Sequence, residues 1–131
     1  MSMRRVDLVC PPFAGHLHPL LGIGRRLARD FEVRVISSES AFLEIAAAGL
    51  PSHVLLPGRD AEIRAIVEPP HAVGSHPLRL HAQLSANLAL LEAFQNDLRR
   101  LWAQQGAPSL ALVDFTLPIA GIVATEHGIP W

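Results

Sequence analysis

The sequence contains no lysine: all eleven cationic residues are arginine. We read this as a bias of genome composition and attach no function to it. Cysteine is nearly as scarce. Cys10 stands alone, which excludes an internal disulfide framework and a cysteine-based zinc site and points to a reducing compartment. No apolar run reaches the roughly 20 residues that a membrane span requires. The apolar segment behind Arg4-Arg5 is only five residues long, too short for a secretory signal. A cytoplasmic protein is therefore expected. Basic clusters are missing beyond the pairs Arg4-Arg5, Arg25-Arg26 and Arg99-Arg100, and the net charge is -1, so no nucleic-acid partner is expected. No serine or cysteine nucleophile motif occurs, which disfavours hydrolysis of the triad kind.

What is present is apolar and periodic. Half of the 131 residues are hydrophobic, enough for one domain with one core. The chain is organised around the stretch from Val6 to Pro19. The run Val6 to Cys10 reads as a strand buried in a parallel sheet. Pro11 and Pro12 stop it, because neither can donate a backbone hydrogen bond. Gly15 gives the turn its freedom. Pro19 is expected within the first turn of the next helix, where a missing N–H does no harm. His16 then lies at a helix N-terminus above the carboxyl end of a strand, where open α/β sheets bind ligands.

The remaining elements follow in alternation. Strands are expected at about 5–10, 31–36, 52–56 and 110–113. Helices are expected at about 17–29, 41–48, 78–104 and 118–127. The first helix is expected to pack through Leu20, Gly24, Leu27 and Ala28. The long helix is expected to pack through Leu84, Leu88, Leu91, Leu98 and Trp102. Residues 57–77 read as a long loop, with one or two helical turns between Ala61 and Val67; long loops inside compact domains are often functional. Ile129-Pro130-Trp131 looks like the start of a fifth strand.

Alternation of this kind implies an α/β fold, a Rossmann-like parallel sheet with helices on both faces. The expected strand order is 3-2-1-4. His16 follows the first strand and Asp114 ends the fourth, so both reach the crevice where the order reverses. A histidine backed by a carboxylate is a general-base arrangement: one ring nitrogen takes a proton while the other is held by the carboxylate. Two plainer readings stay open, a polar surface histidine and an Asp114 that caps the last helix. His18 lies roughly 200° around the helix from His16 and shares no face with it. His71, His76 and His81 form a loose cluster without the spacing of a zinc site; we read them as pocket lining or as exposed residues, with His81 the most inward. Gly22 and Gly24 fail the dinucleotide fingerprint, which needs its first glycine in the strand-to-helix turn. Close packing explains Gly24 better.

Taken together, Pro12-Phe13-Ala14-Gly15-His16-Leu17-His18-Pro19, the Leu-rich helix and Phe31 to Ile36 resemble the opening of GT-B glycosyltransferases of the UDP-glycosyltransferase type. Leu112-Val113-Asp114 and the later Gly128-Ile129-Pro130 are similar to that family's strand ending in Asp and its Gly-Ile-Pro. The resemblance implies the N-terminal half of a GT-B fold, residues 1–131 forming the acceptor-binding domain of an inverting glycosyltransferase, cut near the fifth strand and without its C-terminal donor domain. It implies His16 as general base supported by Asp114, and an acceptor site that draws on Phe13, Gly15, His76, His81 and Leu84. No cofactor or metal is implied. The partners implied are a small-molecule acceptor, the C-terminal donor-binding domain and a nucleotide sugar that this domain binds. The chain alone is then expected not to transfer sugar, and its fourth strand to be an exposed apolar edge prone to self-association. A non-catalytic α/β module that binds a small molecule or partner is the alternative, and a sugar epimerase of the same fold a third reading.

Overall fold

The structure, a computed structural model, describes residues 3–69, 74 and 76–131. Four strands, β1 (Arg5–Val9), β2 (Glu32–Ser37), β3 (Ser52–Val54) and β4 (Leu110–Val113), form one parallel sheet in the order β3-β2-β1-β4. Among the described residues, five α-helices and one 3-10 turn (Glu39–Ala41) connect or flank them: α1 (Ala14–Leu27), α2 (Phe42–Ala47), α3 (Asp60–Val67), α4 (Pro77–Gln105) and α5 (Pro118–Glu126). The expected α/β class, strand order and helices on both faces are all present. Alternate side chains of each strand feed opposite cores. Val9, Ile36 and Ala111 meet Leu98, Leu101 and Trp102 of α4 and Val123 of α5. Val6, Leu8, Val33 and Val35 meet Leu17 and Leu21 of α1 and Ile45 of α2. Among the described residues, no helix is long and apolar enough to cross a membrane.

Several sequence expectations shift. Helix α1 starts at Ala14, so Pro19 lies inside it and not in its first turn. Its missing N–H leaves the Gly15 carbonyl without a helical donor. Both residues are exposed, so water can take that carbonyl. The buried face of α1 is Leu17, Leu21 and Gly24; Leu20 and Leu27 pack against it half-buried as expected, whereas Ala28 is exposed. Strand β3 is only three residues long.

Helix α4 departs most. Leu98 and Trp102 are buried, but Leu84 and Leu88 are 52 % and 67 % exposed. The reason is length. Twenty-nine helical residues reach roughly 43 Å, and strands of five residues or so reach roughly 17 Å. The first half of α4 overshoots the sheet. The β4 edge is covered in part: Ala111 is buried and donates its N–H to the Pro130 carbonyl at 3.0 Å, while Leu110, Leu112 and Val113 are half-buried.

Gly24 packs as its position suggested. A Cβ there would lie 2.8 Å from Leu8 Cδ1 and 2.9 Å from Leu50 Cδ1, whereas one at Gly22 would meet nothing within 4 Å. Gly24→Ala is expected to destabilise by about 1–2 kcal/mol, overpacking outweighing the gain in helix propensity. Gly22→Ala is expected to stabilise by up to about 1 kcal/mol. Urea midpoints of the two variants check the opposite signs.

Candidate functional site

The strands end together at one rim of the sheet, and each strand end contributes to one crevice. After β1 the chain turns through Cys10, Pro11 and Pro12 into α1, whose first turn carries His16. After β4 it turns through Asp114, Phe115 and Thr116 into α5. Strands β1 and β4 are neighbours, so the two turns face each other. His16 Nδ1 lies 3.1 Å from Asp114 Oδ1 and 3.0 Å from Oδ2. The imidazole is 28 % exposed and the carboxylate 7 %. The backbone topology therefore joins side chains 98 residues apart.

Asp114 does not cap α5, whose N-cap is Leu117. Instead its Oδ1 accepts from the backbone N–H of Thr116 at 2.9 Å and from the Thr116 hydroxyl. This is the local turn that an aspartate favours two residues ahead of a hydrogen-bonding partner. Burial by itself would raise the Asp114 pKa. The hydrogen bonds from Thr116, with His16 beside them, outweigh it and hold the carboxyl below its ordinary 3.8. The carboxylate thus stays charged opposite His16.

A linkage follows from that direction. The native value is depressed, so the stability Asp114 supplies is complete above its unfolded value near 3.9 and is lost as pH falls through the native value. Asp114→Asn is expected to destabilise at pH 6, and the gap from the wild type should narrow by pH 3. Urea midpoints at the two pH values check this; a gap that stays constant would rule the linkage out.

Phe115 places its ring 5.5 Å from the His16 ring, tilted by 35°, and is itself 85 % exposed. His18 turns away from this centre, with its Nε2 2.6 Å from Glu44 Oε2 on α2.

Beside the pair is a small, open apolar cleft. Its walls come from Cys10 and Pro12 after β1, Leu55 and Leu56 after β3, Leu90 and Phe94 of α4, and Leu117 before α5. Burial, with the nearby Asp114 charge adding to it, pushes the Cys10 thiol up to about 12. The thiol is therefore protonated and inert, a piece of apolar wall.

The other residues singled out from sequence are placed differently. Phe13 lines a second, more polar groove that shares Pro12 and Ile63 with the apolar cleft. Gly15 is exposed in the first turn of α1. His76 caps the start of α4, and both it and His81 are exposed. His76, His81 and Leu84 are not among the residues that line the apolar cleft; Leu90, Leu91 and Phe94, two to three turns further along α4, are. His71 lies outside the described residues. The residues that sequence reasoning missed were Phe115, Thr116 and the leucine walls. Only the Asp-x-Thr spacing carried a local signal.

No protein-family model matches the chain, and no curated protein matches it significantly. Solved structures do match. The glycosyltransferase SsfS6 of Streptomyces sp. SF2575 aligns with a TM-score of 0.73 and 22 % identity, over 98 % of this chain and 38 % of that one. The calicheamicin glycosyltransferase CalG4 gives 0.75 and 19 %, over 99 % and 32 %. The kitacinnamycin glycosyltransferase gives 0.71 and 23 %, over 99 % and 29 %. The fold is that of the GT-B glycosyltransferases. The chain spans about a third of the length of these structures. In this sheet the His16–Asp114 pair and the apolar cleft lie at the carboxyl ends of the strands, the rim at which open α/β sheets hold their ligands.

Proposed function

We propose that this chain is the acceptor-binding domain of an inverting glycosyltransferase, with His16 as general base and Asp114 as the carboxylate that supports it. The observation that carries the reading is the contact of His16 Nδ1 with both oxygens of Asp114, at 3.0 and 3.1 Å, beside an apolar cleft. Asp114 accepts a hydrogen bond from Nδ1–H and so fixes the tautomer that leaves Nε2 as the proton acceptor. A largely apolar acceptor lies in the cleft and presents one hydroxyl to His16. The proton passes to Nε2 as the hydroxyl oxygen bonds to the anomeric carbon of a nucleotide sugar. The bond from that carbon to the diphosphate breaks, its electron pair leaves with the nucleoside diphosphate, and the configuration inverts. The imidazolium that forms is stabilised by the charged Asp114.

The nucleotide sugar is bound by a second domain. SsfS6 has been solved in complex with thymidine diphosphate, which supports a nucleoside diphosphate as leaving group. The test is transfer itself, followed as release of nucleoside diphosphate from a thymidine or uridine diphosphate sugar. The protein assayed joins this domain to a donor-binding half, and His16→Ala is the comparison. Undiminished release by that variant overturns the reading.

A further inference from the structure

Leu55 and Leu56 are consecutive, both are buried, and both line the apolar cleft. Extended backbone cannot do this, because neighbouring side chains on a strand point to opposite faces. The exception is made at Leu56, whose φ of 53° is the only positive value at a non-glycine residue among those described. A leucine in that region is strained and persists only where its surroundings hold it. Here both of its backbone groups are tied. The Leu56 carbonyl accepts from the N–H of Arg59 at 3.1 Å, closing a turn with Pro57 and Gly58 at its centre. Gly58, at φ 75°, takes the left-handed position that such a turn requires after proline. The Leu56 N–H donates to Asp97 Oδ2 on α4 at 3.0 Å. Asp97 is steadied in turn by Arg100, whose Nη1 donates to Oδ1 at 3.1 Å.

We propose that Leu56 sets the size of molecule the cleft accepts, and that Asp97 is a positioning residue that holds it there. It rests on reading the cleft as the acceptor site and adds what that reading lacks: the acceptor's apolar body is limited by the Leu56 side chain. Strain at Leu56 is offset by the bond to Asp97, so the wall stays up only while that carboxylate accepts the Leu56 N–H. The hydrogen bond needs an acceptor oxygen and not a charge.

The experiment uses two fluorescent hydrocarbons that carry no polar group, naphthalene and the larger pyrene, titrated into the 131-residue chain. The ratio of their dissociation constants is the readout. The wild type is expected to favour naphthalene. Leu56→Gly removes the wall and suits the positive φ, and is expected to move the ratio roughly tenfold or more toward pyrene, the scale at which apolar pockets discriminate size. Asp97→Ala should move it in the same direction with the leucine intact. Asp97→Asn, which keeps an acceptor oxygen, should retain the wild-type ratio. If Asp97→Ala does not fold, Leu56→Gly and Asp97→Asn decide. An unchanged ratio in Leu56→Gly, a shifted one in Asp97→Asn, or no binding of either hydrocarbon to the wild type overturns the proposal. Neither probe is a substrate, so a failure of sugar transfer leaves this result standing.

Discussion

His16→Ala, in an enzyme that joins this domain to a donor-binding half, is expected to lower kcat by roughly 10² to 10⁴, the range that a positioned general base contributes. KM for the acceptor should change far less if, as proposed, the cleft and not the imidazole holds the acceptor's apolar body. The fold should survive. His16 is 28 % exposed and sits in the first turn of α1, so its removal opens no buried cavity. Asp114→Asn should also lower kcat. An amide can present its N–H₂ to Nδ1 and so favour the wrong tautomer, and it no longer balances the imidazolium. The two effects should not add, since the carboxylate acts through the ring; the double variant is expected to be little worse than His16→Ala. Steady-state rates with saturating donor, and thermal melts to confirm folding, check each of these.

Asp7→Ala is expected to cost about 3–5 kcal/mol of stability, the scale of breaking one partner out of a buried ion pair. Asp7 is fully buried in the middle of β1. Arg34 reaches it with Nε at 3.2 Å and Nη2 at 2.7 Å, Trp102 donates its indole N–H at 2.9 Å, and Arg5 Nε lies 3.3 Å away. The side chain of Arg34 is only 12 % exposed, so without Asp7 its charge is left largely desolvated. Trp102, itself a main component of the α4 face of the core, loses the acceptor for its N–H. In urea the midpoint should fall by on the order of 2 M. The control is Glu126→Ala, which breaks the exposed Arg99–Glu126 pair and should leave the midpoint nearly unmoved. Equal effects from the two variants would mean that burial does not govern these pairs.

The Asp7 cluster shows why part of the molecule was not legible in advance. Asp7 stands in an apolar run, which reads as a buried strand regardless of one charged residue. What makes the charge tolerable is Arg34, its direct partner in the parallel register of β1 and β2. Periodicity gives that strand but not its register. Helix α4 teaches the same lesson at larger scale. Its leucine spacing marks an apolar face along its whole length, yet only the second half meets the sheet. A seam read from spacing cannot show where the partner surface ends, so Leu84 was expected in the site while Leu90 and Phe94 form its wall. The reversal at Leu56 was hidden for a different reason. Nothing about a leucine announces a positive φ, and the carboxylate that holds it there lies 41 residues away.

The sequence alone determined the α/β class, the strand order and the meeting of His16 with Asp114. Those follow from rules with few exceptions: parallel strands joined by right-handed crossovers, polar groups collected at strand ends, and one reversal of order that makes two strand ends neighbours. The tertiary structure alone decided the shape of the cleft, the half of α4 that packs, and the partners of Asp7 and Leu56. These depend on distances between elements and on backbone angles set by contacts remote in sequence. Local propensity and spacing carry no information about either.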